Sequence, residues 1–347
     1  MQVSLFDYEL PDDRIAQEPR PRGSSRLLVL DRRSGAVRHR TFSDLPSLLA
    51  PADVLVRNDV RVRHARLWGR DPEERLVEVF LLERVGGDAR RWSALTRPGR
   101  RARAGRTLRF ADGAKARIES VNADGKRIVA FDRAIDAAWF DAWGSVPIPP
   151  YIRRPAGEPD RPADRDAYQT VFAREALAVA APTAGLHFTS EVLSAIRVRG
   201  TAIADLTLAI GAGTFKPVTA EDTEGHRMDA EAVRIPAATR ETIRRTRASG
   251  GRVVAVGTTV ARSLEAAALL AAAPVEGELQ FQTDLFIQPG FEFRAVDALL
   301  TNFHLPRSTL LMLVSAFAGR ETILAAYAAA IREEYLFYSF GDAMLIV

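Results

Sequence analysis

The sequence predicts an α/β main domain with a mostly parallel sheet, interrupted by an inserted small antiparallel β-barrel domain. Three observations predict it. The chain has 347 residues, more than one small core usually organises. Residues 62–131 form six short β-favouring runs punctuated by turns, with no helical stretch between them. On either side, apolar strand-like runs are followed by helical ones, the pattern of βα units. The texture changes near residues 60 and 145, which divides the chain into 1–59 with 145–347 as the α/β domain and 60–144 as the insertion.

Within the insertion the expected strands are Val62–Trp68, Leu76–Leu82, Trp92–Thr96, Thr107–Phe110, Ala114–Val121 and Arg127–Phe131. Pro98-Gly99, Asp112-Gly113 and Asp124-Gly125 mark turns, and Asp-Gly between alternating runs is a strong hairpin signal. Gly144–Pro155 carries Pro147, Pro149, Pro150 and Pro155, too few N–H donors for a central element, and reads as the return linker. In the larger domain, Thr201–Ile210 and Arg252–Val256 read as strands and Val260–Ala273 as a helix.

Composition excludes several chemistries. The chain has no cysteine, which removes disulfides, thiolate nucleophiles, zinc–thiolate sites and iron–sulfur clusters. The longest apolar run, Leu310–Val314 extended through Ala318, is half the ~20 residues that span a bilayer. Met1–Asp13 is acidic and lacks the pattern of a signal peptide, so a cytoplasmic protein is expected. Charge is uneven. Residues 61–110 hold fourteen arginines against six carboxylates, and Arg90–Arg109 contains eight arginines and no acid. Such a field suits phosphates, although arginine is also the default cation of a chain with three lysines.

Candidate functional residues fall in compact patches. In Ala178–Phe188 (AVAAPTAGLHF) an apolar run meets Pro182 and Gly185, placing Thr183 and His187 at a strand end, where ligands of α/β sheets bind. Gly211-Ala-Gly213-Thr-Phe215 follows a strand-like run, and its glycines allow close backbone approach. Lys216 and Pro217 follow, so this is not a dinucleotide loop. Gly257-Thr258-Thr259 opens a helix carrying Arg262, which suits an anion, while simple capping explains the threonines equally well. His226, Asp229 and Glu231 read better as acid–base or solvated groups than as metal ligands. Thr301-Asn302-Phe-His304-Leu-Pro306 and Gly341-Asp342 place polar groups beside apolar runs.

In these patches the chain resembles the S-adenosylmethionine:tRNA ribosyltransferase-isomerase family of queuosine biosynthesis over nearly its whole length. The stretches that carry the resemblance are SRLLVLDR from Ser25, ARLWGR from Ala65, PIPPYIRRP from Pro147, YQTVFA from Tyr168, AVAAPTAGLHF from Ala178, GAGTFKPV from Gly211, VGTT from Val256, TNFHLPRSTLLMLVSAFAG from Thr301 and FGDAM from Phe340. The resemblance implies an α/β domain interrupted by a β-barrel. It also implies transfer of the ribosyl moiety of S-adenosylmethionine to a 7-aminomethyl-7-deazaguanine at the tRNA wobble position, giving epoxyqueuosine with release of adenine and methionine. A proton leaves the carbon beside the sulfonium, adenine departs as the ribose opens, the amine attacks, and an epoxide closes as methionine leaves. S-adenosylmethionine is thus the co-substrate, and neither a metal nor a nicotinamide is required.

By position in the matched motifs, the resemblance implies His187, His304 and Asp342 as catalytic residues. It implies Thr183, Gly185, Phe188, Gly213, Thr214, Phe215, Thr258, Thr259, Arg262 and Asn302 as substrate-binding, with the second threonine, the first and Arg262 on the methionine carboxylate. Arg57, Asn58 and Arg61 are expected to approach tRNA phosphate, and Arg100, Arg101 and Arg103 to form an electrostatic surface for the anticodon stem-loop. A monomer is implied. The chain departs from the family pattern at Ala209, where a His is usual, at Asp229 for a second His, and at Val60, Ala176-Leu177, Val260 and Leu336. These departures leave open a diverged paralogue acting on another acceptor, or a tRNA- or nucleotide-binding protein without catalysis.

Overall fold

The computed structural model describes residues 1–347 except 159, 212, 214–217, 219 and 271–276. By internal contacts it divides into two units. The first comprises Met1–Arg61, Gln169–Glu175 and Ala181–Val347; the second comprises Val62–Tyr168 and Ala176–Ala180. Residues 145–168, placed by the sequence reading with the α/β domain, group by contact with the second unit.

In chain order, β1 (Arg26–Leu30), β2 (Val37–Thr41) and β3 (Val54–Asn58) precede the short β4 (Arg61–Val62). The second unit follows with β5 (Arg66–Arg70), β6 (Leu76–Arg84), β7 (Arg91–Arg97), β8 (Thr107–Arg109), β9 (Lys115–Val121) and β10 (Arg127–Phe131). These six close into a barrel in which every described pairing is antiparallel. Alternation sets its interior: Val77, Val79 and Leu81 of β6 are fully buried while their neighbours are not. The expected strands correspond to these one for one. The described residues of Ser145–Arg161 form no helix or strand, as the prolines there favour.

After β11 (Ala176–Ala178) the chain completes the first unit with β12 (Ala202–Leu208), β13 (Glu231–Ile235), β14 (Val253–Val256), β15 (Leu279–Thr283), β16 (Ala298–Asn302) and β17 (Ala343–Ile346). The nine-stranded sheet runs β15-β13-β12-β3-β14-β16-β17-β1-β2. Its centre, β12-β3-β14-β16, is parallel, as is β1-β17; antiparallel pairings complete the flanks. The parallel strands read as nearly continuous apolar runs because both faces are covered. On one face Leu55, Val254, Val256, Ala298, Leu300, Ala343 and Leu345 form a core with Phe42, Phe188, Val192 and Ile196. The alternate residues Val56, Ala255, Leu299 and Met344 are equally buried on the other face. The described helices α1 (Leu45–Leu48), α2 (Ala137–Trp143), α3 (Pro162–Ala167) and α4 (Ser190–Val198) precede α5 (Ala237–Ala248) and α6 (Thr258–Leu269), and the last two pack on β3, β12 and β14. The carboxyl ends of the parallel strands, at Leu208, Asn58, Val256 and Asn302, therefore lie along one edge.

Candidate active site

That edge collects most of the residues the motifs single out. The Thr183–Gly185 turn packs against β16, and His187, three residues after Ala184, meets Asn302 at the end of that strand. Asn302 Nδ2 lies 3.1 Å from His187 Nε2 and 3.1 Å from the Tyr338 carbonyl. His187 Nδ1 lies 2.9 Å from Ser25 Oγ. The Pro-Thr-Ala-Gly and Asn-Phe-His turns thus face each other. Asn302 is an amide that must point its nitrogen at Tyr338, because a carbonyl can only accept. His187 Nε2 consequently accepts from the amide, and its proton sits on Nδ1, donated to Ser25. Burial, with the Arg22 guanidinium adding to it, pushes the His187 imidazole down to about 4. Both ring nitrogens are engaged and the ring is neutral.

His304 is placed differently. Its Nε2 is 2.8 Å from Thr301 Oγ1, whose hydroxyl also lies 3.3 Å from the Asn302 carbonyl. The hydroxyl donates to that carbonyl and accepts Nε2–H, so Nδ1 carries the lone pair, and it has no hydrogen-bond partner among the described residues. The backbone is held on both sides: His304 N–H donates to Tyr327 Oη at 3.0 Å, and Tyr8 Oη donates to the His304 carbonyl. Burial holds this imidazole down at about 3.

Asp342 precedes β17 and is fully buried. Oδ1 accepts the Arg26 N–H at 2.8 Å and Arg20 at 3.2 Å, and Oδ2 accepts the Leu336 N–H at 2.8 Å. Burial raises its pKa against those donors. It ties the start of β1 to the aromatic turn and orients what surrounds it.

The anion end is built on α6. Gly257, at φ +91°, makes the strand-to-helix corner that a side chain would strain, and donates its N–H to Leu300 at 2.7 Å. The first-turn N–H groups of Thr258, Thr259 and the next residue lack intrahelical acceptors. Thr258 is buried, and the Thr259 hydroxyl is buried with no partner among the described residues. Arg262 is also buried and ion-paired with Glu231, which burial answers by lowering Arg262 to about 10. Glu231 Oε1 accepts the Gly211 N–H at 2.7 Å. Glu231 therefore joins the glycine loop to α6; this explains it better than the acid–base role considered for it from sequence. Gly213 is half-buried with Asp229 beside it: a Cβ there would lie 2.8 Å from Asp229 Oδ2. Thr214 and Phe215 lie outside the described residues.

Several expectations are corrected by geometry. Phe188 is fully buried against Phe42 and Phe172, part of the core rather than a ligand-lining ring. Arg57 is buried, bound bidentately to Asp205 at 2.7 and 3.0 Å and stacked 4.1 Å over Phe172, which leaves no cation there for a phosphate. Asn58 is buried and clamps β3 to β12, donating to the Leu208 carbonyl and accepting from Val60 and Leu208 N–H groups. Arg61 is half-buried, its N–H donated to Glu175. Gly185 is required by space: a Cβ would lie 2.9 Å from Phe172 and from Thr170. Among the departures, Val60 and Val260 are fully buried and Ala209 donates its N–H to Ala232 in the sheet.

In the barrel unit the arginine run is partly neutralised. Arg91 pairs with Glu119, Arg106 with Glu73 and Arg109 with Glu74, while Arg101 donates to the Leu76 carbonyl. Among the described residues Arg90, Arg97, Arg100 and Arg103 are exposed and form no ion pair. No group of three or more metal-ligating side chains comes together among the described residues, and no single helix there is long and apolar enough to cross a membrane.

The model of the queuosine biosynthesis protein family matches residues 3–346. The chain belongs to this family. Among its curated relatives, the S-adenosylmethionine:tRNA ribosyltransferase-isomerase of Moorella thermoacetica is 51% identical over the whole of both chains. The protein of the same name from Rhodospirillum rubrum is 50% identical over all of this chain and 98% of its own. A crystal structure of the S-adenosylmethionine tRNA ribosyltransferase from Thermotoga maritima aligns over 99% of this chain and 100% of that one, with 37% identity and a TM-score of 0.57. In this member of the queuosine family, Ser25, Tyr8 and Tyr327 are the site residues that motif reading left without a role. Ser25 opens the first matched stretch, whereas nothing in the sequence marks the two tyrosines as neighbours of His304.

Proposed function

We propose that the protein is an S-adenosylmethionine:tRNA ribosyltransferase-isomerase that converts 7-aminomethyl-7-deazaguanine at the tRNA wobble position to epoxyqueuosine, releasing adenine and methionine. The observation that carries the reading is the meeting of His187, Asn302 and His304 at the carboxyl edge of a parallel sheet, in a chain about half identical to its named relatives from end to end. That identity favours the enzyme over a binding protein or a paralogue with another acceptor.

The residues divide the work by chemistry. The α6 N-terminus with Thr258 and Thr259 takes the methionine carboxylate, the N–H groups and helix dipole supplying its counter-charge, while Arg262, expected from the motif at the carboxylate, is already neutralised by Glu231 and holds that residue in place. Thr183, Gly185 and Gly213 border the nucleoside. His304, neutral and with Nδ1 open, is the base for the proton beside the sulfonium, since only a neutral imidazole can accept it. His187 and Asp342 orient the edge. Arg100 and Arg103, with Arg101 beside them, meet the tRNA backbone, where contacts position rather than read sequence. The 60–144 insertion is accordingly the tRNA-docking domain, and the enzyme works as a monomer in the cytoplasm, where its tRNA is.

Incubation of the purified protein with S-adenosylmethionine and tRNA bearing the aminomethyl-deazaguanine tests the reading. Adenine and methionine should appear in equal amounts with the modified tRNA; tRNA binding without adenine release would instead establish a binding protein.

A further inference from the structure

Among the described residues the edge holds two buried polar atoms without a hydrogen-bond partner, Asn302 Oδ1 and Thr259 Oγ1, although Asn302 is only 2% exposed. The two are neighbours in register: Val256 pairs with Leu300 between β14 and β16, so the opening of α6 lies beside the end of β16. A carbonyl oxygen buried at a strand end without a donor is destabilising, and such groups are rare unless something meets them.

The amide cannot relieve this by turning over. Its nitrogen already serves two acceptors, His187 Nε2 and the Tyr338 carbonyl, and a flip would set oxygen against the carbonyl oxygen. The Ser25–His187–Asn302 chain therefore fixes Oδ1 as a pure acceptor. The surroundings choose the donor. Arg22 lies close enough to His187 to act on it electrostatically, its guanidinium held by the Leu186 and Gln169 carbonyls, so an ammonium would be repelled. A hydroxyl both donates and accepts and needs no pure acceptor. A neutral exocyclic amino group only donates.

We propose that Asn302 Oδ1 recognises the exocyclic amino group of a purine-type base, with Ser25 and His187 as positioning residues that hold the amide in its one orientation. The inference rests on the proposed reaction, which brings two such amines to the enzyme: that of the adenine in S-adenosylmethionine and that of the deazaguanine. It makes His187 a positioning residue rather than an acid or base.

The test compares wild type with Asn302→Leu, using S-adenosylmethionine and its deaminated inosyl analogue in calorimetry, and KM for deazaguanine-bearing tRNA. If adenine is read, wild type prefers the adenosyl compound by roughly 10- to 100-fold and the variant loses that preference. If the deazaguanine is read, S-adenosylmethionine binding is unchanged and the tRNA KM rises by a similar factor. Unchanged preference together with unchanged KM overturns the proposal. Imidazole 15N spectra of the wild-type protein give a readout independent of folding changes in the variant: a proton on Nδ1 of His187 is expected, and one on Nε2 overturns the fixed orientation. Wild type that neither binds S-adenosylmethionine nor releases adenine sinks the underlying reaction instead.

Discussion

The two buried histidines predict how stability responds to acid. In the folded chain His187 sits at about 4 and His304 at about 3, both pushed down chiefly by burial from an ordinary 6.5. Above 6.5 both are neutral folded or unfolded, and neither makes stability depend on pH. Below it the unfolded chain binds two protons that the folded chain refuses, so stability falls as pH falls until the folded values are reached. Each unit of that window costs about 1.4 kcal/mol per histidine. Between pH 6.5 and pH 5 the loss is about 2 kcal/mol for each ring, or about 4 kcal/mol together, a large part of a typical domain's stability. Urea unfolding at pH 7.5, 6.5, 5.5 and 5.0, followed by tryptophan fluorescence and circular dichroism, measures it. The carboxylates also titrate in the lower part of the range, so the decisive quantity is the difference between wild type and His187→Gln or His304→Gln, each of which should remove about half the histidine contribution. A slope that neither substitution reduces would show that the rings are protonated in the fold, and the assignment of a neutral His187 accepting from Asn302 would fail with it.

Other consequences are open to direct measurement. Glu231→Gln keeps an acceptor for the Gly211 N–H but strands the buried Arg262 charge, and should cost about 3 kcal/mol, with Glu231→Gln/Arg262→Met regaining most of it; additive losses in thermal unfolding would mean the pair is not coupled. Gly185→Ala drives a methyl into Phe172 and Thr170 and should cost about 1–3 kcal/mol or raise KM for S-adenosylmethionine, so a variant matching wild type in both would show that the turn gives way freely. Arg100→Ser/Arg103→Ser should weaken tRNA binding and reduce the slope of log K against log salt by up to about 1.5, the share of two contacts on a largely single-stranded target; an unchanged slope would remove the barrel face from tRNA contact. Arg57→Lys, by contrast, should leave that slope unchanged and lower stability, because it replaces a bidentate buried partner of Asp205.

Legibility followed the physics that is local in sequence. Asp-Gly turns and alternating runs gave the barrel strands nearly residue by residue, and the apolar run before Gly257 gave β14 and the α6 corner. The turns at the strand ends were legible too, and Thr183, His187, Asn302 and His304 lie together at one edge. What failed was the fate of charge. Arg57 reads as a surface cation until Asp205, 148 residues away, is folded against it. Glu231 reads as a solvated acid until α6 brings Arg262 to it. The same applies to the arginine run, where Glu119, two strands away, and the turn acids Glu73 and Glu74 pair with three of its eight arginines. Protonation states were hidden for the same reason, since His187 is neutral because folding buries it beside Arg22, and its tautomer is set by Ser25 and, through Asn302, Tyr338, each brought in from a distant part of the chain.

The proposed chemistry requires the sulfonium nucleoside to occupy the sheet edge between the 183–187 turn and the 302–304 turn. A crystal structure of the protein with S-adenosylmethionine measures this directly. The carboxylate should lie on the first-turn N–H groups of α6 and the nucleoside within reach of Asn302 and His304. Density for the ligand at the opposite edge of the sheet, or in the barrel, would contradict the account.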